Sequence, residues 1–266
     1  MLAPVRAELL KFFTTRLWWG MAIAVFLTGA AFAALFGYAL TAVPLGTDGT
    51  PTGTPTQLVN TVYTGGLSMG YLLLLTIGIL QIGSEYRHKT ISSTFLTTPR
   101  RVQAMLAKVV ALLGVGVFYG VVSLAGSVSV GAAVLTSRGF NAFPSADVGR
   151  TLALSLLVLG LWALIGLGIG ILIPNQVAAL LIGVGIAWIV EPLLSLALTF
   201  LWSWGKDNVV PYMPSQATNA VVNAVVQGGT EAAPRLSWWV AALVLIGWAA
   251  VLSGFGIWRT ARQDIA

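Results

Sequence analysis

Six long apolar stretches, at residues 17–40, 58–82, 109–135, 151–173, 177–201 and 236–258, leave the sequence few ways to fold. A helix rises about 1.5 Å per residue, so about 20 apolar residues cross the hydrocarbon core of a bilayer. Each stretch is long enough. Of the 266 residues, 57% are hydrophobic and only 8% charged, against about 25% charged in a soluble domain, and the charges cluster between the apolar runs. The sequence therefore predicts an all-α polytopic membrane protein with six transmembrane helices in one domain, and it excludes an ordinary soluble fold. Pro174, Asn175 and Gln176 alone separate the fourth and fifth stretches, a breaker and two polar residues that suit a tight turn between antiparallel helices.

The net charge of +6 comes from basic residues beside apolar spans, where anionic headgroups attract them, so the charge points to the lipid bilayer as partner and not to nucleic acid. With no cysteine in the chain, disulfides and thiolate chemistry are excluded. Lys and Arg divide unevenly between the two sides. Arg6, Lys11, Arg16, Arg87, Lys89, Arg100, Arg101, Lys108, Arg259 and Arg262 fall on one side, and Arg138, Arg150, Lys206 and Arg235 on the other. The basic side is expected to be cytoplasmic, with both termini and the 83–108 loop there. Arg6, Lys11 and Arg16 precede an apolar run longer than a signal-peptide core, so the first span is expected to be retained.

Four segments carry the functional argument. Residues 2–16 place Val5, Leu9, Phe12 and Phe13 at helical spacing among Arg6, Glu8, Lys11 and Arg16, the pattern of an amphipathic helix in the headgroup region. It serves as an anchor alone or also touches a cytoplasmic partner. In the 83–108 loop, Glu85, Arg87, His88 and Lys89 follow directly on a span, Ile91, Phe95 and Leu96 offer a small apolar face, and Pro99, Arg100 and Arg101 end the segment. That loop either presents a short helix to a protein groove or only sets topology, and Glu85 could neutralise Arg87 or Arg101. Glu191 is the one acid well inside a span, about 21 Å along the fifth helix from Val177. A carboxylate in lipid costs about 2.5–3.5 kcal/mol, so it must face protein or water, as a structural polar partner or as part of a pathway. Pro192 beside it leaves the carbonyl of Trp188 without its usual donor and can kink the helix. In the 202–235 segment, Pro214, Ser215 and Gln216 can start a helix too short to span, either re-entrant or lying on the surface.

The run Glu85-Tyr86-Arg87-His88, with Thr90 two residues on and Pro99-Arg100-Arg101 before the next span, resembles the permeases of bacterial type-2 ABC exporters, in particular small six-span actinobacterial subunits. RAELLKFFTTRLWW at the start is similar to that family's interfacial helix. Glu191-Pro192-Leu193-Leu194 resembles its E-P-L-L motif, and Pro211-Tyr212-Met213-Pro214 resembles the Y-L-P motif that opens its outer segment. Lys89 departs from the pattern, standing where the family usually has glycine.

The resemblance implies a half-transporter in the bacterial inner membrane that pairs with a second copy or a related permease. A separate ATP-binding cassette subunit would dock on the loop after the second span, and ATP and Mg would be bound there. Glu85, Arg87, Thr90, Phe95, Leu96, Pro99 and Arg100 would make the coupling contact, with Phe95 and Leu96 in an apolar groove and Glu85, Arg87 and Arg100 at its rim. Glu191, Pro192, Tyr212 and Pro214 would lie at the pathway or its gate, covered by a re-entrant element. The chain itself has no GxxxxGK[ST] phosphate loop; Gly205-Lys206 continues into Asp207. The chain is thus expected to be no enzyme, with no cofactor of its own. A secondary transporter is the alternative, marked by broken helices in corresponding halves, of which the sequence displays one in the fifth span. The glycines of Gly116/Gly120 and Gly166/Gly170 permit close helix approach, most simply within the chain.

Overall fold

The computed structural model describes residues 2–42, 54–90, 101–222 and 236–262. Every regular element among them is helical, and six helices are long and apolar enough to cross a membrane. The chain is an all-α, multi-pass membrane protein. The first helix, α1 (Leu2–Thr14), is joined by Thr15 and Arg16 to α2 (Leu17–Thr41), the first span. The second span is two helices, α3 (Pro55–Thr64) and α4 (Leu67–Arg87). The third is α5 (Arg101–Ser137) and the fourth α6 (Ala146–Leu172). The fifth runs α7 (Gln176–Gly185), a π segment (Ile186–Val190) and α8 (Glu191–Leu201). Short α9 (Ser203–Asn208) and α10 (Pro214–Val221) precede the sixth span, α11 (Trp238–Arg262).

Lipid tails are as apolar as leucine, so close packing, not hydrophobic exclusion, holds such helices together. Small residues set the contacts. A side chain at Gly78 would strike the carbonyl of Ala163, and one at Gly166 would strike the carbonyl of Leu75, which locks α4 against α6. Gly116 approaches Gly160, where a Cβ would come 2.5 Å from the opposing Cα, joining α5 to α6. Gly170 meets Ile82 of α4 and Gly120 meets Leu156 of α6, so both glycine pairs singled out in the sequence pack within the chain. Tyr71 stacks on Trp162 with centroids 4.1 Å apart at the middle of this core. The fourth span is 67% buried and the fifth only 22%, so α6 is central and the fifth span peripheral, touching α4 along a single stripe.

Three boundaries differ from the sequence expectation, each for a physical reason. The second span begins earlier, at Pro55, because Thr54 accepts from the Gln57 backbone while the Gln57 side chain accepts from the Thr54 backbone, a reciprocal cap with proline in the first turn. It is also interrupted at Gly65–Gly66, where a Cβ on Gly66 would come 3.0 Å from the Cα of Gly29 and the α2 backbone crosses closely. Finally, α4 runs on to Arg87 and α5 starts at Arg101, so residues assigned to the 83–108 loop at both ends are helical. Hydropathy stops a span at a charge. Here Glu85 and Lys108 neutralise each other, and the helices continue.

Candidate functional site

The candidate residues fall at two ends of the molecule. At the end away from Leu2 and Arg262, the fifth span buries a stripe with a four-residue repeat: Ala179, Gly183, Ala187, Glu191 and Ser195. An α-helix turns once in about 3.6 residues, so such a repeat drifts by about 40° per step. The π segment, with its wider i→i+5 turn, takes back part of that drift and keeps Glu191 on the buried face. Its position follows from Pro192, which has no N–H to give; the preceding N–H, on Glu191, donates to Ile186 instead. The kink expected at Pro192 therefore takes the form of a π bulge.

Glu191 is buried and its Oε1 accepts the backbone N–H of Ser215 at 2.6 Å. Ser215 lies in the first turn of α10, where N–H groups lack helical partners and the dipole favours a negative group. A carboxylate from the fifth span thus caps the short helix 24 residues later. Three more contacts fix that helix and its lead-in. Trp162 Nε1 donates to Thr218 Oγ1 at 2.9 Å, Trp248 Nε1 donates to the Tyr212 carbonyl at 3.0 Å, and Ser195 Oγ lies 2.9 Å from Met213 Sδ. Pro192 and Tyr212 face outward, and Pro214 is half-buried as the first residue of α10. The structure therefore joins the segments of two candidate motifs through Glu191. Beside the fifth span, α4 leaves Met69, Leu73, Thr76, Leu80 and Ser84 half-buried along one face, two of the five polar.

At the opposite end, α4 finishes in a C-terminal motif. The N–H of Thr90 donates to the Glu85 carbonyl at 3.0 Å and that of Lys89 to the Tyr86 carbonyl at 3.3 Å, with Lys89 at φ 54°. This is the Schellman arrangement, in which glycine normally takes the left-handed position. Lys89 occupies it with a Cβ. Arg87 is exposed and Glu85 is buried. Phe95, Leu96, Pro99 and Arg100, with Ile91, lie outside the described residues.

Glu85 points inward to a group of four charges, of which Glu8, Glu85 and Lys108 are buried and Lys11 is half-exposed at the edge. Lys108 Nζ donates to Glu85 Oε1 at 2.6 Å and to Glu8 Oε2 at 2.7 Å, and Lys11 Nζ donates to Glu8 Oε1 at 2.8 Å and to Glu85 Oε1 at 3.0 Å. Lys108 is 1% exposed. Among the described residues the partners of Glu85 are lysines on α1 and α5 and not Arg87, while the Arg101 side chain lies outside the described residues. Burial alone would push the Glu8 carboxyl up, but the charge and hydrogen bond of Lys108, with help from Lys11, bring it below its ordinary value. Burial likewise works against the Lys11 ammonium, and Glu8 and Glu85 together outweigh it and raise it. Glu85 Oε2 remains buried with no hydrogen-bond partner among the described residues.

Sequence reasoning missed the roles of Glu8, Lys108, Trp162 and Thr218. A signal was present for the first two. Glu8 shares the helical face of Val5 and Phe12, and Lys108 falls in register with Ala104, Ala111 and Val115, so each charge stands on an otherwise apolar face. Trp162 carried none, being one tryptophan in a uniformly apolar span. No protein-family model and no curated protein matches the chain.

Proposed function

We propose that the chain is the permease subunit of an ATP-driven exporter of the type-2 ABC class in a bacterial cytoplasmic membrane. Two copies, or one copy and a related permease, enclose the pathway, and a separate ATP-binding subunit docks on the segment that follows the second span. The observation that carries this reading is the Glu191–Ser215 bond. The E-P-L-L residue and the helix opened by P-Y-M-P, recognised independently in the sequence, belong to one closed piece of structure. A helix of eight residues cannot cross a bilayer; capped by Glu191 and held by Trp162, it suits the closing element of a pathway. The half-buried face of α4 beside the fifth span offers polar groups to such a pathway.

A secondary transporter is favoured by a different observation: the interruptions fall in spans two and five, corresponding positions of the two three-span halves. Against it, neither interruption unwinds the backbone. Gly65 and Gly66 keep right-handed helical dihedrals, the N–H of Gly70 still bonds the Gly66 carbonyl, and the π segment remains hydrogen-bonded. The two readings separate on purification from the native operon context in mild detergent. An exporter permease brings an ATP-binding subunit with it and transports only with ATP; a chain that transports alone, driven by an ion gradient, sinks the exporter reading.

A further inference from the structure

Between its capped start and the break at Gly65–Gly66, α3 turns a polar edge toward α6. Two contacts set the register of the second span on the fourth. Thr56 Oγ1 lies 3.3 Å from Ser145 Oγ at the outer ends, and Tyr71 stacks on Trp162 farther in. Asn60 and Thr64 follow Thr56 at the four-residue spacing that keeps one helical face. The register brings them against the outer turns of α6, where Thr151 and Ser155 stand at the same spacing. All four are buried, Asn60 at 1% exposure and Ser155 at 0%.

The hydroxyl groups of this edge have already spent their protons. Thr64 Oγ1 donates to the Asn60 carbonyl at 2.7 Å and Ser155 Oγ to the Thr151 carbonyl at 2.9 Å, each within its own helix. What they still offer across the interface is a lone pair. Asn60 offers a carbonyl oxygen and two N–H donors, and among the described residues neither its Oδ1 nor its Nδ2 has a hydrogen-bond partner. Leaving an amide unpaired among apolar groups is costly, and the cluster at this end, with Val59, Val62, Tyr63 and Val148, is apolar.

This inventory defines the group that fits. It must accept from Nδ2 and also donate to Oδ1 and to the hydroxyl oxygens, which an anion and a bare cation each fail to do. None of the buried charged residues among those described lies on α3 or on α6 to balance an ion. At 1% exposure the edge admits nothing large. Water carries two donors and two acceptors and is small enough. It can be supplied from the outer end, where Thr56 and Gln57 are half-buried and exposed Gly149 has open space where a Cβ would stand.

We propose that Asn60, with Thr64, Thr151 and Ser155, forms an internal water site between the second and fourth spans, the water bridging the Asn60 amide to the hydroxyl oxygens. Inside the break, α4 meets α6 through Gly78 and Gly166 set against opposing carbonyls. Outside it, α3 meets α6 through hydrogen bonds that exchange with water. The second span is thus locked to the fourth on one side of Gly65–Gly66 and held by hydration on the other. The site belongs to this chain alone and needs no ATP-binding subunit.

X-ray radiolysis of the full chain in detergent, with a scavenger of bulk hydroxyl radicals present, turns bound water into radicals that oxidise the side chains beside it. Val148 and Val158 are both 0% exposed on α6, the first in the outer cluster and the second in the main core. Tyr63 and Tyr119, at 2% and 0% exposure, make the same comparison for a second side-chain type. Val148 should be labelled severalfold faster than Val158, and Tyr63 severalfold faster than Tyr119. Equal rates, or labelling at Val148 that the scavenger abolishes, overturn the site. Asn60→Leu removes both amide groups at nearly constant volume. It should bring Val148 down to the rate of Val158 and lower the thermal midpoint, because the hydroxyl oxygens lose their bridged donor. An unchanged Val148 rate overturns the site, and so does a raised midpoint, the result expected when a lone buried amide is simply removed. The wild-type comparison decides by itself if the leucine variant does not fold.

Discussion

Lys89 holds a backbone conformation that suits glycine, at φ 54° in the C-terminal motif of α4, the same position at which the exporter resemblance implies glycine. A non-glycine residue in the left-handed region costs roughly 1 kcal/mol. Lys89→Gly should therefore raise the thermal unfolding midpoint by the equivalent of about 1 kcal/mol; an unchanged or lower midpoint would show that the lysine side chain contributes contacts that offset the strain. The charge group gives a second residue-scale expectation. Glu8 is lowered below its ordinary value of 4.5, so its contribution to docking α1 is fully present above that value and is lost as pH falls through the lower folded value. Lys11 is raised above 10.5, so its contribution is fully present below that value and lost as pH rises through the higher folded one. With Glu85 of α4 and Lys108 of α5 completing the group, proteolytic release of α1 should stay flat between pH 5 and pH 10 and rise in stronger acid. A midpoint near neutrality would contradict the pairing. These pairings were invisible in sequence because hydropathy treats a charge as the end of a span and cannot tell that its partner is 23 or 100 residues away.

At the scale of elements, the length and number of spans were legible because about 20 apolar residues have one way to cross lipid. The short helix α10 was legible at its start, from Pro214, but its dependence on Glu191 was not: an acid beside a proline announces a special position without naming its partner. The structure gives α10 a carboxylate at its first turn, an indole at Thr218 and a second indole on the carbonyl of Tyr212. Replacing Glu191 by leucine leaves the half-buried Ser215 N–H without its acceptor and should cost about 1 kcal/mol. Glutamine keeps an acceptor oxygen in the same place and should retain most of that stability. Thermal denaturation of both variants in one detergent checks the ranking. Equal midpoints for leucine and wild type would mean that the carboxylate does not hold α10, and transport lost in glutamine at unchanged stability would assign the charge itself to the pathway.

For the whole molecule, the open question of orientation turns on which side faces the cytoplasm, and the charge group bears on how that is counted. Topology follows the number of Lys and Arg residues near span ends and not net charge, yet lysines locked to carboxylates are poor candidates for contact with anionic headgroups. Even with Lys11 and Lys108 set aside from the ten basic residues on the side of the two ends, eight stand there against four on the other side. The asymmetry survives, so the 83–108 segment is expected in the cytoplasm, where an ATP-binding subunit could reach it, and α10 on the outer side. Because the chain has no cysteine, single reporters are clean. A cysteine at Thr50 should react with a membrane-impermeant maleimide in intact cells, and one at Ser92 should react only after permeabilisation. The opposite pattern would turn the molecule over: Glu191 and α10 would then face the cytoplasm, the charge group of Glu8, Lys11, Glu85 and Lys108 would face outward beyond the reach of ATP, and the proposed exporter reading would fail.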